Sequence, residues 1–165
     1  MNSPQPLVVL TTGGTIDKTY FDALSAYQIG ETVVSKLLGV ANVHFPYRIE
    51  EVLRKDSLEL DDEDREALRQ KVAGLVETRV VITHGTDTMA ESARVLAAIS
   101  GKTIVLTGAL TPARFTESDA SFNLGMAFAV AQTAAPGVYI TMNGQVFLGH
   151  RVRKDRAGGR FVATE

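Results

Sequence analysis

Short apolar, β-branched runs recur along the chain, and each is stopped by glycine. Leu7 to Thr11 runs into Gly13-Gly14, Arg79 to Thr83 into His84-Gly85, and Thr103 to Thr107 into Gly108. Val138 to Met142 runs into Asn143-Gly144. Continuous apolar runs of this length, ended by turn residues, predict strands buried on both faces. Between them the period changes. Asp61 to Val76 opens on four carboxylates that suit a positive helix start, and Leu68, Val72, Leu75 and Val76 share one face. Thr88 and Glu91 have capping-box spacing ahead of a helix through Ala93, Leu96 and Ala97. Phe122 to Gln132 is apolar nearly all round and reads as a buried helix. Asn143-Gly144 reads as a hairpin turn joining Val138–Met142 to Val146–Leu148. Thr15 to Tyr27 has weak periodicity and reads as a loop leading to a helix near Gly30 to Leu38.

Strands alternating with helices require crossovers, and burying both faces of the sheet needs helices on each side. The expectation is an α/β fold: three layers, α/β/α, with a mostly parallel, doubly wound sheet and a C-terminal antiparallel hairpin. Residues 1–165 are expected to form a single domain, since no linker, repeat or low-complexity tract interrupts them.

Composition narrows the chemistry. With 17 basic and 19 acidic residues the net charge is −2, so no global positive field recruits nucleic acid or an anionic membrane. The absence of cysteine removes disulfides, thiolate metal sites and thiol nucleophiles. His44, His84 and His150 form no ligand-spaced pair, so no metal is expected, and redox chemistry would need a bound cofactor. The N-terminal segment lacks a signal-peptide pattern, and no run is long enough to span a bilayer. A cytoplasmic protein is expected.

In such sheets ligands bind beyond the carboxyl ends of the strands. The most polar of those ends are Thr11 to Asp17 and His84 to Thr88. Thr15, following two glycines, is a candidate nucleophile that would need a base and oxyanion donors; alternatively it is a local hydrogen-bonding residue in a tight turn. Thr86 and Asp87 suit a small polar ligand, or else helix capping. Lys154, in Arg151 to Arg156, reads as part of a solvated basic tail or of a patch for an anionic partner, or as a base if the chain folds back to the strand ends.

Taken together, Thr12-Gly13-Gly14-Thr15-Ile16 and His84-Gly85-Thr86-Asp87-Thr88-Met89 closely resemble the two signature loops of the bacterial-type L-asparaginase family. The similarity continues through Asp56 to Leu60, Thr107 to Leu110, Ser118 to Leu124 and Met142-Asn143 on to Lys154. The resemblance implies an amidohydrolase, with no cofactor, that converts L-asparagine to L-aspartate and ammonia, with glutamine as a slower substrate. It implies Thr15 as the nucleophile that forms an acyl-enzyme, with Thr86 and Lys154 as the second threonine-lysine pair. It implies Asp87 at the substrate α-amino group and Ser57 at the α-carboxylate. Glu59 stands where the family usually has aspartate. Main-chain groups at Gly14, Gly85 and Ala109 would border the reacting amide. The family's mobile-loop tyrosine matches Tyr27 by local pattern and Tyr20 by proximity to Thr15, and both remain candidates.

The resemblance covers the family's amino-terminal domain only. The expectation is therefore a short-chain form, or an excised domain, lacking the smaller carboxyl-terminal domain, with reduced affinity and assembly into a homodimer or homotetramer. Two other readings stay open: a non-catalytic amino-acid sensor or regulatory module, and a nucleotide-binding protein, which the absent Gly-x-Gly-x-x-Gly spacing and Walker lysine disfavour.

Overall fold

The computed structural model describes residues 4–21, 26–29 and 32–165. Six strands form the central sheet: β1 (Leu7–Gly13), β4 (Tyr47–Lys55), β5 (Arg79–Thr83), β6 (Thr103–Thr107), β7 (Gly137–Met142) and β8 (Gln145–Leu148). Their order across the sheet is β4-β1-β5-β6-β7-β8. The first five run parallel, and β8 returns antiparallel to β7 through Asn143-Gly144, both at positive φ.

Alternation along the strands sets the layers, because successive side chains point to opposite faces. Val8 and Leu10 of β1, with Val80 and Ile82 of β5, pack on α2 (Asp62–Ala73) and α3 (Met89–Leu96). Leu7, Val9 and Val81 pack on α1 (Val34–Val40) and α4 (Ala120–Thr133). The α/β three-layer expectation holds, as do the four strands and the C-terminal hairpin.

Several local readings need correction. Thr15 to Tyr27 is not a plain loop: a 3-10 turn at Thr15–Asp17 leads into β2 (Lys18–Phe21), which pairs antiparallel with β3 (Ala26–Ile29). Those segments carry β-branched and aromatic residues with no long apolar run, so a two-stranded ribbon of local pairs leaves little periodic signal. The helix expected near Gly30 to Leu38 starts at Val34 and ends at Val40, and Gly30 lies outside the described residues. Edge strand β4 went unread because it carries Arg48, Glu50, Glu51, Arg54 and Lys55. Charges of this kind protect an exposed edge from pairing with another chain, and here they form ion pairs between Arg48 and Glu50, between Arg54 and Glu51, and between Lys55 and Asp64.

The capping box also sits elsewhere. Asp61 and Asp64 cap α2 reciprocally, whereas Thr88 makes no side-chain cap and Glu91 pairs with Arg65 at 3.2 Å.

Candidate active site

The direction of winding reverses at β1: its first sheet partner in sequence, β4, lies on one side, and β5 and the later strands lie on the other. That reversal opens a crevice at the carboxyl ends of β1 and β5. The two polar loops singled out in the sequence leave the sheet there.

Glycine lets them touch. A Cβ on Gly14 would fall 2.5 Å from the Gly85 nitrogen, and Gly14 itself sits at φ +83°. A Cβ on Gly85 would fall 2.5 Å from the Ser57 Cβ and 2.6 Å from its Oγ. Backbone therefore packs on backbone, and the residues one step beyond the contact, Thr15 and Thr86, are held at the same crevice. Thr12 Oγ1 donates to the Thr83 carbonyl at 2.8 Å and ties the two strand ends together beneath. Gly108, after β6, packs against the His84 carbonyl.

Support for the Thr86-Asp87 corner comes from buried polar groups. His84 is fully buried, with Nδ1 2.7 Å from the Gly85 carbonyl and Nε2 2.8 Å from Ser92 Oγ. Burial pushes its pKa down to about 4, so the imidazole is neutral at pH 7. Nδ1–H then donates to Gly85, and Nε2 accepts from Ser92. Thr88 Oγ1 donates to the Ser57 carbonyl at 2.8 Å, and the Thr88 amide donates to Ser57 Oγ at 3.4 Å. Ser57, in a 3-10 turn capped by Asp56, is thus buried beneath the corner. Glu59, two residues on, is exposed. Ala109 is buried, and the loop after it is pinned by Asp119, which accepts from the Leu110 and Thr111 amides.

Lys154 reaches the corner from 67 residues downstream. It lies on β9 (Val152–Asp155), which pairs antiparallel with β10 (Arg160–Ala163). Val152 and Phe161 are buried in the core on the α2–α3 side, and Phe161 N donates to Asn143 Oδ1 at 2.8 Å. Burial of those two apolar residues docks the hairpin, and Lys154, two residues from Val152, turns inward with it. Its Nζ donates to Thr86 Oγ1 at 2.7 Å and to Asp87 Oδ1 at 2.9 Å. The solvated-tail reading of Lys154 is thereby set aside. The ammonium holds the Asp87 carboxyl below its usual range, and Arg156, 3.3 Å from the same oxygen, adds to the effect.

Asp17 closes the other side. Its Oδ1 accepts from the Val33 amide at 2.9 Å, so the last residue of the Thr15–Asp17 turn holds the chain entering α1. Burial pushes its pKa up to about 6. Tyr20 and Tyr27 are direct partners in the β2–β3 register, and their side chains lie outside what is described.

Of the residues that the resemblance implied, Lys154, Thr86 and Asp87 are joined by hydrogen bonds, Gly85 packs against Gly14, the residue before Thr15, and against Ser57, and Ala109 is buried. Sequence reasoning missed His84, Ser92, Thr88 and Asp17 as supports. Two marks of that role were present in the sequence: a histidine directly before the corner glycine, and a carboxylate closing the turn that follows the glycine pair.

A doubly wound sheet with a threonine-lysine-aspartate cluster at its switch point defines an α/β hydrolytic or binding scaffold. The amino-terminal asparaginase family model matches residues 6–161, and the chain belongs to that family. It is 32% identical over 166 residues to a glutaminase-asparaginase of Pseudomonas fluorescens biotype A, covering 90% of this chain and 45% of that protein. The thermostable L-asparaginase of Thermococcus kodakarensis superposes with a TM-score of 0.82 at 28% identity, covering 96% of this chain and 51% of that one. A probable cytoplasmic L-asparaginase of Campylobacter jejuni superposes at 0.85 with 29% identity, covering 96% and 53%. The chain spans about half the length of the curated relatives it matches. Among the described residues no helix is long and apolar enough to cross a membrane.

Proposed function

We propose that the chain hydrolyses the side-chain amide of L-asparagine to L-aspartate and ammonia, with glutamine as a slower substrate. The observation that carries the reading is the Lys154 ammonium, 2.7 Å from the Thr86 hydroxyl and 2.9 Å from Asp87, at the corner whose glycine abuts the turn before Thr15.

Thr15 Oγ attacks the amide carbon as its proton passes to a neutral acceptor, and the oxyanion formed collapses to an ester when that proton is returned to the leaving nitrogen, which departs as ammonia. Water then attacks the ester and frees aspartate and Thr15. An alcohol is a weak nucleophile, so each half needs a proton acceptor; the Thr86–Lys154 pair fills that role in its neutral-amine form, after the Lys154 ammonium has given up one proton, with either tyrosine of the β2–β3 ribbon, Tyr20 or Tyr27, on the other side of Thr15. Asp87 stays ionised. Both of its hydrogen bonds among the described residues fall on Oδ1, which leaves Oδ2 for the substrate α-ammonium. Ser57 and the main chain at Gly14, Gly85 and Ala109 shape the floor on which the α-carboxylate and the amide rest. Glu59 is the weakest member of this set because it is exposed.

Assembly into a homodimer or homotetramer belongs to the same reading. Phe122 is 64% exposed, and Phe115, Val146 and Leu148 are also uncovered apolar surface.

The test is ammonia release from asparagine and glutamine by the purified chain, with Thr15→Ala as the control. Turnover that disappears in a folded Thr15→Ala variant supports the assignment. A wild-type rate in that variant removes Thr15 as nucleophile, and heat of asparagine binding with no ammonia replaces the enzyme by a sensor. Sedimentation of the same sample reads the assembly.

A further inference from the structure

Beside the Thr86–Lys154 pair, α3 and the β9 hairpin border a groove of about 320 Å³ lined by Asp87, Glu91, Arg94, Arg153, Lys154 and Arg156. Four cations face two carboxylates that are already engaged. Asp87 accepts from Lys154 and Arg156, and Glu91 pairs with Arg65 of α2, whose side chain is nearly buried. Arg94 and Arg153 are exposed, and their guanidinium groups make no hydrogen bond or ion pair among the described residues. The groove therefore carries a positive surplus on a chain whose net charge is −2.

We infer that this groove is an anion-binding subsite for a small dianionic oxyanion, phosphate or a dicarboxylate, that acts on the reaction through Lys154. A guanidinium presents a planar fork of donors that matches paired acceptor oxygens. The volume lies near the lower end of the range for ligand pockets, about 300 Å³, which suits a small anion rather than a peptide segment. An anion seated there competes with Thr86 and Asp87 for the N–H donors of Lys154 and favours its charged form. The lysine is thereby drawn away from proton transfer, and turnover falls. The effect on rate rests on the amidohydrolase reading, whereas the binding does not.

The test uses inorganic phosphate and succinate, a dicarboxylate without an amino group, against sodium chloride at matched ionic strength. Calorimetry reads binding, and ammonia release from asparagine reads turnover. Arg94→Gln with Arg153→Gln is the variant, since neither residue belongs to the catalytic set; should the pair fail to fold by circular dichroism, each single variant carries the same comparison. The expected result is saturable binding of one or both dianions, weakened at least ten-fold in the variant. Each bound dianion should also slow wild-type ammonia release, with basal turnover unchanged in the variant. Phosphate alone or succinate alone identifies which chemistry the groove selects. Binding absent from the wild type, equal in variant and wild type, or matched by chloride overturns the subsite. Binding that leaves ammonia release unchanged overturns the link to Lys154. A chain that binds the anion and releases no ammonia supports the subsite while overturning the amidohydrolase reading.

Discussion

Replacing Gly85 by alanine tests the contact on which the crevice depends. The added Cβ would lie 2.5 Å from Ser57 Cβ, 2.6 Å from Ser57 Oγ and 2.8 Å from the Ser57 amide nitrogen. Non-bonded carbons settle at about 3.5–4.0 Å, so the loops bearing Gly85 and Ser57 must part by about 1 Å. Rotating the serine side chain relieves little, because its Cβ and main-chain nitrogen are also in the way. The Thr86-Asp87 corner moves with Gly85, and both its hydrogen bonds to Lys154 lengthen. Overpacking of this kind costs about 1–3 kcal/mol of stability. A misplacement of about 1 Å at a reacting group costs about 100-fold in rate. Denaturant unfolding measures the first effect and ammonia release the second. Gly39→Ala is the reference, since a Cβ at that helical position meets nothing within 4 Å and alanine should add up to about 1 kcal/mol. If Gly85→Ala keeps both the stability and the turnover of the wild type, the tight packing of the three loops does not position the chemistry, and the reasoning fails.

The remaining predictions concern charge and hydroxyl groups. Lys154→Met should lower turnover by about 10²- to 10⁴-fold, the usual contribution of a positioned proton acceptor, while circular dichroism shows an unchanged fold; a loss of less than two-fold would remove Lys154 from the mechanism. Asp17 and His84 should oppose each other in a pH–stability profile. Asp17, raised to about 6 from 3.8, favours folding below about pH 4, and that contribution is lost as pH rises through 6. His84, lowered to about 4 from 6.5, contributes above pH 6.5, and its share is lost as pH falls through 4. Asp17→Asn keeps an acceptor for the Val33 amide and removes the first effect, so urea unfolding at pH 4 and pH 7 should show stability at neutral pH rising relative to acid by about 2 kcal/mol; an unchanged difference contradicts burial of that carboxylate. Thr83 Oγ1 is buried with no partner among the described residues, so Thr83→Val should stabilise the protein by about 1 kcal/mol in the same assay, and a loss of more than 1 kcal/mol would show that its hydroxyl is satisfied.

Strands β1, β5, β6 and β7 were legible because each is buried on both faces and reads as an unbroken apolar run ended by glycine. The β7–β8 turn was legible because Asn143-Gly144 suits two positive φ angles in succession. Edge strand β4 and the β2–β3 ribbon were not: one carries the charges that an exposed edge requires, and the other is too short to show a period. Of the site, the threonines, Asp87 and the glycines announced themselves at the strand ends, where this sheet architecture places ligands.

What the linear chain could not determine was which of two uses each polar residue serves. Thr88 has the spacing of a helix cap, yet its hydroxyl goes to Ser57, a loop 31 residues away. Lys154 sits in a basic run that resembles solvated tail, and only the burial of Val152 and Phe161 folds it back onto Thr86. Residue type and local pattern set the strands and their order of appearance, since those depend on near neighbours. The meeting of Thr86 and Lys154, and of the Gly14 and Gly85 turns, depends on which apolar faces pack together across the sheet, and that is settled only when the core closes.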